Sequence, residues 1–179
     1  ARTANFVLVL DALNFSFWGE PHWRVVYRDR LVDGYWALAA ALKRAIEEGV
    51  PILEADYLAQ LTSSDLAFIL RGEGEIPLFE QRLANLHEVG RVLGTKYDGR
   101  FVTAIEAAQR SVVQLVQRIV ADFPSFDDVA RFQSREVRLY KRAQICVADL
   151  YGAFGGRQWG HFTDLDRLTA FADYKLPQI

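Results

Sequence analysis

The chain has 179 residues, which suits one domain with a sizeable buried core. A hydrophobic content of 51% and an aromatic content of 13% exclude a disordered protein. The formal net charge is −2, and the 21 basic and 23 acidic residues are well mixed, so no Lys/Arg block could neutralise many phosphates.

The N-terminal segment predicts a helix followed by a hairpin. The uniformly apolar run over residues 6–10 fits either a strand or a helix, and we favour a helix over residues 5–13 capped by Asn5. Short apolar runs over residues 23–27 and 31–32 flank the polar turn Arg28-Asp29-Arg30. This pattern predicts two strands in a hairpin that is too small to be a domain.

Three helices are predicted next, each from a signal at one end. A helix over Tyr35–Glu48 is closed by Gly49. Thr62, with Asp65 three residues on, predicts a capping box for a short helix. Pro77 predicts the first turn of a helix that extends to residue 93.

The second half of the chain continues the helical pattern. An apolar stripe over residues 101–119 predicts one continuous helix that ends near Pro124. Ser125, with Asp127 and Asp128 in the first turn, predicts a further helix. The predicted fold is therefore mainly α, a single helical domain over residues 1–179 with a small β-hairpin.

Two charged residues lie in apolar surroundings near the C-terminal end. Lys141 is on a helix that stops at Gly155-Gly156, and its face, shared with Gln144, Ile145, Ala148 and Gly152, is mostly small or apolar. Asp173 lies among Phe171, Ala172 and Tyr174. Such a carboxylate is poorly solvated, so its pKa should rise unless hydrogen bonds or a cation keep it ionised. The structural alternatives are a surface lysine whose charged end reaches water and an aspartate that caps a helix.

Three motifs resemble one known family. They are Ala12-Leu13-Asn14-Phe15-Ser16-Phe17-Trp18, Tyr140-Lys141-Arg142-Ala143-Gln144 and Phe171-Ala172-Asp173-Tyr174-Lys175-Leu176-Pro177-Gln178. Together they resemble the queuosine salvage proteins over essentially the whole chain. That family comprises queuosine 5′-phosphate N-glycosylases (hydrolases), which release the base queuine from its nucleotide. The resemblance implies that Lys141 and Asp173 are catalytic residues.

The resemblance also implies a set of substrate-binding residues. Asn14 and Trp18 combine an amide for the base edge with a ring for stacking, and Tyr35 and Trp36 stand in a Gly-Tyr-Trp run that the family shares. The alternative is that these aromatic residues are plain core. Beside the catalytic pair we assign further substrate-binding roles to Tyr174, Lys175 and Asp164.

A glycine-rich bend, residues 155–160, precedes Asp164. Backbone amides in such a bend can bind a phosphate, and together with Lys141 and Lys175 they form the predicted anion site. DNA glycosylases of the helix-hairpin-helix type place a lysine and an aspartate around a similar bend, a resemblance of arrangement only. The alternative is that the glycines end one helix and Asp164 caps the next.

The function implied is hydrolysis of the N-glycosidic bond of queuosine 5′-monophosphate to queuine and ribose 5-phosphate, without a cofactor. The alternative is a helical domain that binds a nucleotide or a nucleic-acid end without cleaving it. We expect no stable nucleic-acid partner, and we expect no membrane association because the longest apolar runs contain Asp11 or Arg118.

The numbers and positions of cysteines and histidines bear on the cellular location of the chain and on metal binding. The single cysteine, Cys146, excludes an internal disulfide and favours a reducing, cytoplasmic location. The three histidines lie far apart and no Cys/His spacing suggests zinc, so we predict no metal site. Because the chain lacks methionine and stops at Pro177-Gln178-Ile179, we expect it to be a central piece of a longer protein.

Overall fold

The computed structural model describes residues 1–173, and these confirm the mainly α-helical fold. In chain order the elements are α1 (Arg2–Leu13), β1 (Arg24–Tyr27), β2 (Arg30–Asp33), α2 (Gly34–Glu47), α3 (Ala55–Ala59), α4 (Ser63–Ile69), α5 (Phe79–Lys96), α6 (Phe101–Ala107), α7 (Val112–Asp122), β3 (Val129–Phe132), β4 (Arg135–Arg138) and α8 (Lys141–Ala153). The described residues form two compact units, one of residues 12–99 and one of residues 1–11 with the chain from residue 100 onward. Within residues 1–173, every helix is too short or too polar to cross a membrane.

In the unit of residues 12–99, the predicted hairpin is confirmed. Strands β1 and β2 pair antiparallel, and Tyr27 lies opposite Arg30 at the turn. The two turn residues, Arg28 and Asp29, have φ of 48° and 61°. Both therefore adopt the left-handed conformation of the two-residue turn that matches the twist of paired strands.

The helices of the same unit follow their predicted signals closely. Thr62 and Asp65 form the capping box of α4, in which the Asp65 N–H donates to Thr62 Oγ1 at 3.1 Å. Helices α3 and α5 touch backbone to backbone, because a Cβ on Gly90 would lie 2.3 Å from the nitrogen of Ala59. A side chain at position 90 would therefore push the two helices apart.

The predicted first-turn role of Pro77 is wrong. Helix α5 begins at Phe79, after Leu78 in the left-handed conformation at φ 56°. The carbonyl of Pro77 instead accepts a hydrogen bond from Arg82 Nε at 2.9 Å. The side chain of Arg82 therefore organises the chain just before the helix, which no local pattern indicated.

The unit that contains residues 1–11 corrects the predicted role of Asn5. Helix α1 begins at Arg2, so Asn5 lies inside the helix rather than at its cap. Its side chain is 6% exposed, and its Oδ1 accepts the backbone N–H of Phe101 at 2.9 Å. The carboxamide thus satisfies a donor at the start of α6 instead of its own helix.

The single helix predicted over residues 101–119 is two helices, α6 and α7. Gln109 and Arg110 adopt φ of 51° and 65° between them, and Ser111 caps α7 by accepting the Gln114 N–H at 3.2 Å. The residues of the predicted apolar stripe are buried on both sides of the break, and in sequence they continue the same 3.6-residue period. Because the apolar period is continuous in sequence, it did not indicate the break between α6 and α7.

The helix predicted to start at Ser125 is also wrong. A 3₁₀ helix over Pro124–Phe126 is followed by strands β3 and β4, which pair antiparallel around Gln133 at φ 54°. All eight strand residues are exposed, so this segment has no buried apolar stripe to stabilise an amphipathic helix.

Helix α8 packs its central residues into the core of the unit that contains residues 1–11, and its first residue is partly exposed. The buried apolar positions are Ala143, Cys146, Val147 and Leu150. The predicted stop is confirmed, since Gly155 and Gly156 adopt φ of 58° and 67° after the helix. The first residue of the helix is Lys141.

Candidate active site

The structure brings the two predicted catalytic residues into contact. Lys141 Nζ lies 2.8 Å from Asp173 Oδ2, which is a charge-assisted hydrogen bond. The Lys141 side chain is 27% exposed and that of Asp173 is 39% exposed. The pair is thus shielded from bulk water on part of its surface, while a small molecule could still reach the carboxylate.

The position of Lys141 is set by a sharp turn from β4 into α8. Tyr140 occupies the cap position with φ 48°, and its own side chain makes no capping hydrogen bond. The cap is supplied by Asp128, whose carboxylate oxygens accept the backbone N–H of Lys141 at 2.9 and 3.1 Å. The carbonyl of Asp128 also accepts the N–H groups of Leu139 at 3.0 Å and Tyr140 at 3.3 Å.

Asp128 therefore joins the base of the β3–β4 hairpin to the first turn of α8. Burial raises the pKa of its carboxyl, and the hydrogen bond from the Lys141 N–H partly offsets this shift. A carboxylate also suits the positive end of a helix dipole. The backbone that carries the Lys141 ammonium is consequently held by an aspartate thirteen positions earlier.

Gln144, one turn into α8, connects the two segments that carry the ion pair. Its side-chain Nε2 donates to the carbonyl of Leu139 at 3.0 Å. Its Oε1 accepts from the backbone N–H of Thr169 at 2.9 Å and from Thr169 Oγ1 at 3.0 Å. Gln144 is 8% exposed, whereas its partner Thr169 lies at the surface, so these hydrogen bonds are partly buried.

The predicted base-binding residues lie in the unit of residues 12–99. Trp18 is 57% exposed and Trp36 is 69% exposed, which rules out the plain-core alternative for these two indoles. Tyr35 is partly exposed and contacts Trp36 edge to face, with ring centroids 5.3 Å apart. Asn14 is also partly exposed. Their roles in base binding stay a prediction.

A buried arginine holds the loop that carries Asn14. The guanidinium of Arg82 is fully buried and donates to the carbonyls of Leu13, of Phe15 at 2.6 Å and of Ser16 at 2.7 Å. It also lies 4.4 Å from the centroid of the Phe15 ring. The backbone on both sides of Asn14 is therefore fixed by one side chain from α5.

Asp164 uses both carboxylate oxygens at the N-terminus of α7. Oδ2 accepts from Ser111 Oγ at 2.7 Å, and Oδ1 accepts from the Val112 N–H at 2.6 Å. Asp164 precedes the 3₁₀ helix Leu165–Arg167 but makes no side-chain capping bond to it. The alternative that Asp164 caps the next helix is therefore wrong, because it caps an earlier one. Its predicted substrate contact stays a prediction.

We expect Asp164→Asn to destabilise the protein by about 1 kcal/mol, because it removes a negative charge at the N-terminus of α7, worth roughly 0.3–1 kcal/mol, and weakens two charge-assisted hydrogen bonds. Burial alone would raise the pKa of Asp164, but the hydrogen bonds from Val112 and Ser111 outweigh it and lower the pKa. The stabilisation should therefore be complete above the unfolded-state pKa of about 3.9 and disappear as the pH falls through the lower folded-state value.

Denaturant melts of both proteins across this pH range would measure the difference. The matched control is Asp166→Asn, which removes an exposed carboxylate two residues away. Equal stability of Asp164→Asn and the parent at neutral pH would contradict the capping role.

The predicted phosphate role of the bend is not supported. The backbone N–H groups of Gly155, Gly156, Arg157 and Gly160 all donate to carbonyls between Tyr151 and Arg157, at 2.8 to 3.1 Å. The bend also follows the C-terminus of α8, about 18 Å from Lys141 at the 1.5 Å rise of a helix. These four amides of the bend are thus engaged in local hydrogen bonds, and the bend is distant from the ion pair. Tyr174 and Lys175 lie outside the described residues.

Comparison with known proteins decides the family. The sequence profile described as "Queuosine salvage protein" matches residues 1–179. The chain belongs to the queuosine salvage protein family. Three similar queuosine salvage relatives, all named "Queuosine 5′-phosphate N-glycosylase/hydrolase", come from Sphaerobacter thermophilus, Bos taurus and Schizosaccharomyces pombe.

The chain is 58% identical to the Sphaerobacter thermophilus protein over 176 residues, which cover 98% of this chain and 54% of that protein. It is 40% identical to the Bos taurus protein over 180 residues, covering 98% and 53%. It is 34% identical to the Schizosaccharomyces pombe protein over 192 residues, covering 99% and 56%. The chain thus spans about half the length of the curated queuosine salvage relatives it matches.

Three residues of this queuosine salvage protein that hold the backbone beside predicted site residues were given no such role from the sequence: Asp128 and Gln144 beside Lys141, and Arg82 beside Asn14. Asp128 was assigned to a helix of its own, because capping rules consider only the next three or four residues. Gln144 was noted only as part of the motif that contains Lys141, and no role was predicted for Arg82. Each acts through backbone groups that are distant in sequence, and no local pattern encodes such contacts.

Proposed function

We propose that this chain carries the site that hydrolyses the N-glycosidic bond of queuosine 5′-monophosphate and releases queuine. The observation that carries the proposal is the contact between Lys141 Nζ and Asp173 Oδ2, a lysine–carboxylate pair only partly exposed to solvent. The names of the relatives and the family membership supply the substrate.

In the proposed reaction Asp173 supports the sugar as its bond to the base breaks. Its negative charge stabilises the oxocarbenium-like transition state. The base leaves with the bonding electron pair, a water molecule adds its hydroxyl group to the anomeric carbon, and Asp173 takes the proton of that water. The proton is then returned to solvent or to the departing base, so the carboxylate is regenerated.

Lys141 keeps the carboxylate charged and oriented in this scheme. An ammonium 2.8 Å away favours the ionised form of a carboxyl group. The leaving base is a 7-deazaguanine, which has a carbon in place of the ring nitrogen at which ordinary purines can be protonated. Protonation of the leaving base can therefore assist the reaction only to a limited extent, and electrostatic stabilisation by Asp173 contributes more of the rate enhancement.

We assign base recognition to Asn14 and Trp18, with Tyr35 and Trp36, since exposed indoles can stack on a base and an amide can bond its edge. We further propose a cytoplasmic location, consistent with a single, buried cysteine, Cys146. No nucleic-acid partner is proposed, because the net charge is −2 and the basic residues are dispersed.

One assay tests the proposed reaction against the binding-domain alternative. The purified protein in its natural length is incubated with queuosine 5′-monophosphate, and free queuine is measured by mass spectrometry. Time-dependent release of queuine in proportion to enzyme concentration is the expected result. Tight binding of the nucleotide without any release would favour the non-catalytic domain.

The same assay with the nucleoside tests recognition of the phosphate. We expect the 5′-monophosphate to be preferred about tenfold to a hundredfold in kcat/KM, the size of one charge-assisted contact of roughly 1.5–3 kcal/mol. The Lys141 ammonium has three donors, so it can bind Asp173 and an anion together. Equal turnover of nucleoside and nucleotide would contradict a phosphate contact.

A further inference from the structure

A buried amide side chain links the two segments whose ends form the ion pair. Leu139, which accepts from Gln144 Nε2, lies two residues before Lys141, and Thr169, which donates to Gln144 Oε1, lies four residues before Asp173. The side chain of Gln144 is therefore a bridge between the turn that orients Lys141 and the segment that presents Asp173.

The chemistry of the bridge requires an amide. One end must donate to a carbonyl and the other must accept from an N–H and a hydroxyl, which only asparagine and glutamine do with a single neutral side chain. Glutamate would place an acceptor against the Leu139 carbonyl, and an apolar residue would leave the Thr169 N–H without this acceptor. Because the Gln144 side chain is 8% exposed, an unsatisfied group at this position would lose hydrogen bonds that water cannot fully replace.

The bridge is placed where small displacements matter. A hydrogen-bonded ion pair acts on a reacting atom only when its geometry is held to within about 0.5 Å, and a misplacement of about 1 Å can cost on the order of a hundredfold in rate. Lys141 is fixed by the backbone of α8, whereas Asp173 follows an irregular stretch after the 3₁₀ helix Leu165–Arg167. Gln144 ties that irregular stretch to the helix.

We propose that Gln144 is a positioning residue of the active site, which sets the separation of the Lys141 ammonium and the Asp173 carboxylate by holding Leu139 and Thr169. The inference rests on the proposed function for its kinetic consequence. Its geometric consequence is independent of any substrate. Gln144 itself contacts neither the sugar nor the water in this scheme.

The test is Gln144→Met, which keeps the length of the side chain and removes both hydrogen-bonding ends. The matched control is Asn5→Leu, which removes a buried amide of the same unit that binds Phe101 N–H and lies outside the ion pair. Both variants should lower Tm. Assayed well below Tm, Gln144→Met should lose on the order of a hundredfold in kcat with little change in KM. Asn5→Leu should keep the parental kcat.

A second variant covers the case in which Gln144→Met fails to fold. Thr169→Val removes the hydroxyl donor and keeps the Thr169 N–H, so it should fold and should lower kcat in the same direction by a smaller factor. Parental kcat in Thr169→Val together with parental kcat in Gln144→Met would overturn the proposal. If Gln144→Met does not fold, the result for Thr169→Val decides by itself, and a parental kcat in Thr169→Val would then overturn the proposal.

A crystal structure of the variants separates this inference from the proposed function. The distance from Lys141 Nζ to Asp173 Oδ2, 2.8 Å in the parent, should lengthen in Gln144→Met and stay unchanged in Asn5→Leu. If the parent releases no queuine, the proposed function fails, and this distance still decides the positioning role. An unchanged distance in Gln144→Met would overturn the inference whatever the activity.

Discussion

Asp173→Asn should nearly abolish the release of queuine while the protein stays folded. Loss of a general base costs about 10²–10⁴-fold in rate, and the negative charge proposed to stabilise the oxocarbenium-like transition state is lost with it. Asparagine has the size of aspartate. Its side-chain carbonyl oxygen can still accept a hydrogen bond from Lys141 Nζ, which in the parent lies 2.8 Å from the Asp173 carboxylate. The substitution therefore removes charge and basicity but keeps the shape of the contact.

The decisive comparison is turnover against thermal stability. A structural aspartate would lower Tm, and activity would fall only in proportion to the folded protein. Asp166→Asn, which neutralises an exposed carboxylate seven residues earlier, controls for the change in net charge. A stable Asp173→Asn protein that turns over within about tenfold of the parent would contradict the mechanism, because a general base contributes more than that.

The elements that the sequence predicted correctly are those with a local cause. The Thr62–Asp65 capping box, the left-handed glycines after α8 and the turn at Arg28-Asp29 each involve residues within four positions of one another. Backbone sterics and hydrogen bonds within one turn determine such features. They therefore appear in the sequence as short patterns, and together with the 3.6-residue apolar period they predicted the helical class of the fold.

The errors have non-local causes. The break between α6 and α7 is stabilised at Ser111 by Asp164, which lies 53 residues later. The β3–β4 hairpin is closed by hydrogen bonds from Leu139 and Tyr140 to Asp128. A helical period measures only which residues are apolar, so it continues across such a break and misses partners supplied from elsewhere in the chain.

The candidate site shows the same division. Lys141 and Asp173 were identified because they are charged residues in apolar surroundings and match a family motif. Their contact at 2.8 Å, and the residues that hold it, Asp128 and Gln144, depend on tertiary hydrogen bonds. The candidate pair could therefore be predicted from residue types and a family motif, whereas the contact between its two members could not.

Lys141→Met should reduce turnover by about 10²–10³-fold, the cost of removing one preorganised hydrogen-bond donor from a site where charge develops. Methionine keeps the unbranched chain and removes the ammonium that orients the Asp173 carboxylate. Because both side chains are partly exposed, at 27% and 39%, the ion pair contributes little to the free energy of unfolding, on the order of 0–1 kcal/mol.

We therefore expect the Tm of Lys141→Met to stay close to that of the parent while queuine release falls. A lysine that serves only as a solvated surface residue would leave both unchanged. Lys141→Arg is the informative companion, since the guanidinium keeps the charge but cannot reproduce the position of a compact ammonium. Partial activity in Lys141→Arg with loss in Lys141→Met would assign the effect to charge. Equal losses would assign it to the exact place of the donor beside Asp173, and parental turnover in Lys141→Met would remove Lys141 from the mechanism.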